Sequence, residues 1–262
     1  MDKDQEGIRR YDRQMVFPSL GLEGQRRLMR SRALIVGVGG LGSWAAELLA
    51  RAGVQGLRLV DNDRVDLCNL HRQSLYSQAD ADSRLPKVQA ARRRISEINT
   101  AVEVEPVDAR LDAHTLSALA EGMDLILDGT DNFATRFIIN DFSVKTGRPW
   151  VFAGVVGAEA QVMPIVPGRT ACLRCVYDSP PPPCLDPVCR AAGVLGPAVA
   201  AIASLQAMEA LKILSGHPEQ VSPYLLKMDL WSNAIQRIHT TGDARRADCA
   251  CCNQRHFEFL EA

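Results

Sequence analysis

Two pairs of cysteines have the spacing that suits a metal ion. Cys172 and Cys175 form one C-x-x-C pair, and Cys249 and Cys252 form a second pair much later in the chain. Each pair can hold one metal through two thiolates, so together they offer the four sulfurs of a tetrahedral zinc site. An iron–sulfur cluster, a redox dithiol and unrelated free thiols are the alternatives, and Cys251 is a further candidate ligand. We predict a structural zinc site, because four thiolates would close it to catalysis.

A second set of residues is typical of chemistry on a triphosphate. Arg72 and Lys87 are cations that follow strand edges, and Asp131 is a carboxylate that can hold Mg²⁺. Nucleotidyl transfer needs cations and a metal that neutralise charge on phosphate oxygens, whereas hydride transfer needs neither. Arg13 is a further candidate, although its arginine-rich segment also fits a solvated surface.

A glycine-rich turn precedes these residues. Gly37, Gly39 and Gly42 match the G-x-G-x-x-G spacing, in which one glycine makes a tight turn, one lets backbone approach a phosphate and one lets a helix pack on a strand. Asp61 ends the next strand, where a carboxylate can accept hydrogen bonds from ribose hydroxyls. A turn that merely packs well is the alternative. The flanking strands and the acid favour nucleotide binding, without saying which nucleotide.

Strand and helix patterns alternate through the first half of the chain, which predicts a parallel sheet with right-handed connections. The predicted strands span residues 33–36, 57–60, 102–107, 124–128 and 150–155, and the predicted helices span 43–52, 87–98, 112–120 and 132 to about 145. Later strands at 158–166, 225–230 and 234–239 predict an antiparallel extension of the same sheet. The apolar helix at 198–214 would lie in the core or at a subunit interface.

These elements predict an α/β fold with a Rossmann-like, mostly parallel sheet in a single domain over residues 1–262. Residues 8–31 form a helical lead-in and residues 32–156 form the nucleotide-binding core. Residues 157–262 carry the antiparallel extension, a crossover loop and the zinc site.

The composition argues against several classes of function. Basic and acidic residues balance, 30 against 31, so the charge favours neither nucleic acid nor a membrane surface as a partner. No apolar run reaches the ~18 residues of a membrane-spanning helix, and residues 1–6 are too polar for a signal peptide. We therefore expect a cytoplasmic protein whose cysteines serve metal binding or catalysis rather than disulfides.

Two further cysteines lie near a run of four prolines at 180–183, which predicts an exposed loop. Cys189 precedes Arg190, and exposure beside a positive charge favours a reactive thiolate. Cys184 shares the loop without so close a basic neighbour. An inert loop thiol is the alternative for each.

Several of these motifs recur, in the same order, in a known family. They are Arg10 to Gln14, Gly37 to Gly42, Asp61 to Asp63, Asn69 to Gln73, Pro86-Lys87, Asp128 to Asn132, both C-x-x-C pairs and Cys189 to Pro197. From about Ile8 to Phe259 the chain resembles the MoeB/ThiF/HesA adenylyltransferases, bacterial relatives of the ubiquitin-activating enzymes. The resemblance implies an enzyme that uses ATP and Mg²⁺ to adenylate the C-terminal glycine of a ubiquitin-like sulfur carrier of the ThiS or MoaD type. Pyrophosphate would leave, and sulfur would then reach the activated carboxyl.

The resemblance also implies a role for each matching residue. Gly37, Gly39, Gly40, Gly42, Asp61, Asp63, Asn69, Arg72, Lys87, Asp131 and Asn132 would bind the nucleotide, its phosphates or its Mg²⁺. Arg13 would reach across a homodimer to the partner's ATP, and the four paired cysteines would bind zinc. Cys189 aligns with a loop cysteine that in some members takes part in covalent transfer.

The chain departs from the family pattern at two places. His71 stands where many relatives have glutamine, and the proline-rich loop at 179–186 carries the extra Cys184, which leaves open which cysteine reacts. The sulfur would come from a separate donor protein, for thiamine, molybdopterin or another pathway. An NAD-dependent oxidoreductase, on the glycine motif and Asp61 alone, and a non-catalytic, zinc-stabilised carrier-binding protein are the alternative functions.

Overall fold

The computed structural model describes residues 7–180 and 193–261, and within them one eight-stranded sheet organises the fold. The strands are β1 (Arg32–Val36), β2 (Gly56–Val60), β3 (Glu103–Val107), β4 (Leu125–Asp128), β5 (Trp150–Val156), β6 (Glu159–Ile165), β7 (Tyr224–Asp229) and β8 (Ala234–His239). The helices are α1 (Asp12–Met15), α2 (Gly21–Leu28), α3 (Gly40–Ala52), α4 (Gln78–Asp82), α5 (Lys87–Ile98), α6 (Leu116–Leu119), α7 (Phe133–Thr146), α8 (Leu173–Val176) and α9 (Gly196–Leu214). The candidate reactive cysteines Cys184 and Cys189 lie outside the described residues.

The strand order across the sheet is β3-β2-β1-β4-β5-β6-β7-β8. Strands β1 to β5 pair in parallel, and β6, β7 and β8 continue the sheet in antiparallel fashion. The predicted Rossmann-like sheet with an antiparallel extension is therefore confirmed. Because β2 and β4 flank β1, the order reverses between β1 and β4, which is where open α/β sheets bind ligands.

Helices cover both faces of the parallel strands. Ala33 and Ile35 of β1 belong to one apolar core with residues of α3 and α9, whereas Leu34 and Val36 belong to a second core with Phe137 of α7. Successive side chains of a strand point to opposite faces, so an unbroken apolar run such as β1 is buried on both sides.

By length and composition alone, helix α9 is long and apolar enough to cross a membrane. It is the one such helix among the described residues. Gln206, Glu209 and Lys212 interrupt its apolar sequence, so the helix contains no unbroken apolar run of that length. Half of the most apolar stretch of this helix is buried, and the helix packs on α3, β5 and β6. The side chain of Gln206 is fully buried and donates to the backbone oxygens of Asp128 and Val151.

Two predicted helices are shorter than expected. The helix predicted at 112–120 is confined to α6, because the Asp112 carboxylate accepts hydrogen bonds from the backbone N–H groups of His114 and Thr115 and holds a turn there. The lead-in at 8–31 is divided into short helices, with Pro18 between α1 and α2, since proline cannot continue a helix from its N-terminal side.

Three glycines meet where the strand order reverses. Gly37 has a left-handed φ of 82°, which glycine adopts at little cost. Its carbonyl oxygen lies so close to Gly42 of α3 and to Gly129 after β4 that a Cβ at either position would overlap it. Two of the roles expected of the glycine motif, the tight turn and the close packing of the helix, are thus observed.

We predict that Gly42→Ala lowers the free energy of unfolding by about 2 kcal/mol or more, because the new methyl group would overlap rigid backbone. Gly154→Ala in β5 is the matched control, since a Cβ there would meet its neighbours at 3.5 Å or more. Thermal unfolding followed by circular dichroism should show a Tm lower by about 4 °C or more for the first variant only. Equal Tm values for the two variants would contradict this packing.

Candidate nucleotide site and four-cysteine site

A cleft of ≈ 780 Å³ opens at the carboxyl ends of the parallel strands. The residues predicted to bind nucleotide that line it are Gly37, Gly39, Gly40, Asp61, Asp63, Asn69, Arg72, Lys87, Asp131 and Asn132. Gly42 lies behind the cleft, where it is buried against Gly37. Residues that are far apart in sequence therefore reach one concave surface.

The floor of the cleft is the glycine turn and the first turn of α3. Helix α3 begins at Gly40 after Gly39, and no side chain caps its N-terminus. The backbone N–H groups of a first helical turn have no partner within the helix, and the helix dipole adds partial positive charge. This end of α3 is therefore suited to an anion such as phosphate.

Asp61 connects the glycine turn with the loop after β2. Its Oδ2 accepts from the Val38 backbone N–H at 2.7 Å, and its Oδ1 accepts from the Asp63 N–H at 2.8 Å. A carboxylate offers about four acceptor positions, so these two bonds leave capacity for ribose hydroxyls. The carboxylate is only partly exposed and its direction is fixed before any ligand binds.

The two predicted cations both line the cleft and are each held by protein groups. The Lys87 side chain is 6% exposed, and its Nζ donates to Asp63 Oδ2 at 2.7 Å. Arg72 donates from Nη1 to the Cys68 carbonyl at 3.0 Å and lies 2.7 Å from His71 Nε2. Asp63, predicted to bind nucleotide, therefore also positions Lys87.

Cys68 is exposed on the cleft wall between Asp66 and Asn69. A hydrogen bond to the Asp66 carboxylate raises the pKa of the Cys68 thiol above its usual value. The protonated thiol is a poor nucleophile, so Cys68 does not have the character expected of a reactive cysteine.

Asp131 lies in a turn that is fixed by its neighbours. The Asp128 carboxylate accepts from Thr130 N at 2.9 Å and Thr130 Oγ1 at 2.6 Å, which shapes the turn after β4. Asn132 caps α7 by accepting from Thr135 N at 2.9 Å. Asp131 itself is exposed to the cleft, so its carboxylate is accessible to a cation.

Arg136 was not predicted, although it lines the cleft and supports the same turn. Its side chain is 7% exposed, and it donates to Asp128 Oδ2 at 2.8 Å and to the Thr130 carbonyl at 2.7 Å. The rings of Phe133 and Phe152 lie on it at 5.1 Å. An arginine within a largely apolar helix, shortly after an aspartate at a strand end, is the sequence signal that could have identified it.

Arg13 does not line the cleft of its own chain. Its neighbour Gln14 donates to the Ala52 carbonyl, at the C-terminal end of α3, whereas the cleft lies at the N-terminal end of that helix. A helix of 13 residues is about 20 Å long, so Arg13 is remote from the nucleotide residues. A second subunit would be needed to bring it to a cleft.

The four paired cysteines meet beside α7, with all four Sγ atoms within 4.8 Å of one another. Neighbouring sulfurs are 3.9 Å apart for Cys172–Cys175, 3.6 Å for Cys172–Cys249 and 3.4 Å for Cys175–Cys252. A tetrahedral zinc ion with Zn–S bonds of about 2.3 Å requires sulfurs roughly 3.8 Å apart. The four residues therefore fit zinc.

Contacts among these thiols lower the pKa of two of them, Cys175 and Cys249, and raise the pKa of the other two, Cys172 and Cys252. Hydrogen bonding from Cys172 lowers the pKa of Cys249, and it lowers the pKa of Cys175 to about 7. Cys172 and Cys252 would therefore lose their protons as zinc binds, because thiolates are the form that ligates the metal.

Helix α7 holds both cysteine pairs in place through Asn140, which is fully buried. Its Oδ1 accepts from Leu173 N, in the first pair, at 2.8 Å, and its Nδ2 donates to Cys251 Sγ, in the second pair, at 3.3 Å. Cys251 thus faces Asn140 and lies outside the four-sulfur group. Of the candidate ligands, the structure brings together the four that form C-x-x-C pairs.

Comparison with known proteins agrees with this fold and these motifs. The model of the ThiF family matches residues 11–251. The chain belongs to the ThiF family. Sulfur carrier protein ThiS adenylyltransferase of Bacillus subtilis is 38% identical over 251 residues, which cover 96% of this chain and 73% of that protein. Sulfur carrier protein adenylyltransferase of Thermus thermophilus is 37% identical over 252 residues, which cover 94% of this chain and 91% of that protein.

A solved structure shares the fold at lower identity. MccB of E. coli with MccA-N7isoASN superposes with a TM-score of 0.81 at 22% identity, over 94% of this chain and 74% of that chain. The likeness extends over the parallel strands and the antiparallel extension, so this ThiF-family chain has the same architecture.

We predict about one zinc ion per chain, and we expect its removal by a strong chelator to lower the Tm by about 10 °C or more, because binding energy at a closed thiolate site is also folding energy. Cys249→Ser should lose zinc and stability to a similar extent. Cys68→Ser, at an exposed cysteine outside the cluster, is the matched control and should retain both. Folded protein with no zinc by metal analysis would contradict the structural role.

Proposed function

We propose that this chain is an ATP-dependent adenylyltransferase that activates the C-terminal glycine carboxylate of a small ubiquitin-like sulfur-carrier protein. The observation that carries the proposal is the cleft, in which a glycine turn, two cations and an exposed acid converge where the strand order of a ThiF-family sheet reverses. The names of the two relatives, both adenylyltransferases of sulfur carriers, support the same activity and ATP as the nucleotide.

In this reaction a carboxylate oxygen of the carrier bonds to the α-phosphorus of ATP, and the bond from that phosphorus to pyrophosphate breaks. Asp61 would accept hydrogen bonds from the ribose, while Asn69, Arg72 and Lys87 would contact the phosphates and neutralise the charge on the leaving group. Asp131 would hold Mg²⁺, which would supply further positive charge at the phosphate oxygens. The resulting acyl-adenylate would be open to attack by sulfur.

The assembly and the pathway belong to the same proposal. We expect one adenylation domain that acts as a homodimer in the cytoplasm and receives sulfur from a separate donor protein, with Cys189 taking part in that transfer. The carrier would be of the ThiS or MoaD type, for thiamine or molybdopterin synthesis. ThiS of Bacillus subtilis is the first carrier to test, because a relative that is 38% identical is named for it.

We predict that the protein incorporates labelled pyrophosphate into ATP when it is given Mg²⁺ and a carrier that ends in Gly-Gly. Bacillus subtilis ThiS and a MoaD-type carrier should be tested side by side. Asp131→Ala should reduce the exchange rate by about 100-fold or more, because the charge of the metal would no longer be held at the phosphates. Asp82→Ala, at an exposed acid in the last turn of α4, is the matched control and should retain the rate of the unmodified protein.

Exchange that continues in Asp131→Ala would contradict the role of this acid. Carrier binding without any exchange, in zinc-loaded protein that binds ATP, would favour the non-catalytic carrier-binding protein. Tight NADH binding without ATP binding would favour the oxidoreductase.

We predict that Arg13 acts on the cleft of a partner subunit, because it lies at the far end of α3 in its own chain. Arg13→Ala and Asp131→Ala should each be inactive alone. When their subunits are exchanged one to one, half of the dimers are mixed and one of the two sites in each is complete, so about a quarter of the original exchange rate should return.

A variant that carries both substitutions is the control, and mixing it with either single variant should restore nothing. Native mass spectrometry should first show that the dimers have exchanged subunits. If the two single variants still fail to restore activity to each other, Arg13 does not act in the partner's site.

A further inference from the structure

Tyr177 joins the four-cysteine site to the wall of the cleft. It follows α8, and so comes two residues after Cys175. Its hydroxyl donates to Gln161 Oε1 at 2.8 Å, and its ring meets the Phe133 ring edge-on at 5.4 Å. Both Gln161 and Phe133 line the cleft.

The hydrogen bond fixes the direction of the Gln161 carboxamide. Because Oε1 is occupied by Tyr177, the Nε2 group, which carries two N–H donors, faces the other way. On that side, Nε2 lies near Gly154, the cross-strand neighbour of Gln161 in the β5–β6 pair. A Cβ at Gly154 would lie 3.5 Å from Gln161 Nε2. The donor thus borders space that a side chain at position 154 would fill.

The charges in the cleft indicate which part of the substrate reaches this space. Lys87 begins α5 and is paired with Asp63 after β2, and Arg72 lies beside Gly40 at the start of α3. The two cations would therefore attract the phosphates to the part of the cleft between the glycine turn and β2. At the β5–β6 side, the cleft is lined by apolar residues around Gly154, together with Gln161. The nearby Arg136 is engaged by Asp128 and by the carbonyls of Thr130 and Ala153.

This end, where the charge of Arg136 is already paired with Asp128, suits a narrow peptide with two terminal glycines. Each peptide carbonyl that leaves water needs a hydrogen-bond donor, since an unpaired buried carbonyl is costly. The Nε2 group of Gln161 is a donor at the required place, and Gly154 leaves room for an extended chain beside it.

We propose that Tyr177 is a positioning residue that orients Gln161, so that Gln161 Nε2 donates to a backbone carbonyl in the C-terminal tail of the carrier. The inference rests on the proposed function and names the part of the same cleft that receives the tail.

The test is the ATP–pyrophosphate exchange assay with the active carrier, with carrier and ATP varied separately. Tyr177→Phe keeps the ring and removes only the hydroxyl, and it should raise the KM for the carrier about threefold to tenfold, the range expected for one hydrogen bond. The KM for ATP and kcat should stay within about twofold, since neither depends on this bond. Tyr224→Phe, on β7 with its ring against His239, is the matched control and should change nothing.

Two further variants separate positioning from a structural effect. Gln161→Ala should raise the carrier KM by a similar factor, and adding Tyr177→Phe to it should have no further effect, because the hydroxyl acts through Gln161. Gly154→Ala should fold normally and raise the carrier KM by filling the space beside the donor.

Full additivity of Tyr177→Phe and Gln161→Ala would overturn the inference, as would equal effects on the KM for ATP and for the carrier, or an unchanged carrier KM in Tyr177→Phe. Each of these outcomes leaves carrier-dependent exchange in the unmodified protein, and so leaves the proposed function intact. Absence of exchange with every carrier in the unmodified protein would overturn both.

Discussion

The Gly37 carbonyl packs directly against Gly42 and Gly129, and this contact fixes where the cleft can form. It sets the distance between the turn after β1, the start of α3 and the turn after β4. The first turn of α3 and the turn that carries Asp131 consequently open on the same cleft. A side chain at Gly42 or Gly129 would separate the first turn of α3, which suits phosphate, from Asp131, which suits a metal cation.

Helix α7 extends this geometry to the four-cysteine site. Its first residues cap the helix and line the cleft, Arg136 supports the turn beneath Asp131, and Asn140 holds loops from both cysteine pairs. Tyr177 provides a second route between the two regions, from α8 to the cleft wall. The cysteine site therefore stabilises more than a remote loop, because the helix and the tyrosine that it holds also shape the cleft.

The sequence was sufficient to predict the features that depend on residues close together in the chain. Apolar runs predicted the buried strands, and the glycine spacing predicted the tight turn, because both depend on residues that are adjacent in the chain. The sequence was insufficient to predict contacts between side chains and backbone groups that other interactions bring together. Nothing in the pattern shows that Arg136 turns inward to Asp128, that Cys251 faces Asn140 rather than the other sulfurs, or that Asp112 delays the start of α6.

The two halves of the four-cysteine site are synthesised at different times. Cys172 and Cys175 are complete while residues 176–248 have still to be added, and at about 5–20 residues per second the first pair waits roughly 4–15 s for the second. During that interval it is a two-thiolate chelator without the tetrahedral geometry that selects zinc. The strands β7 and β8 lie within the segment made during this time. All four thiolates are therefore present only after every strand of the sheet has been made, so the metal would close the fold and would not serve as the nucleus around which the sheet forms.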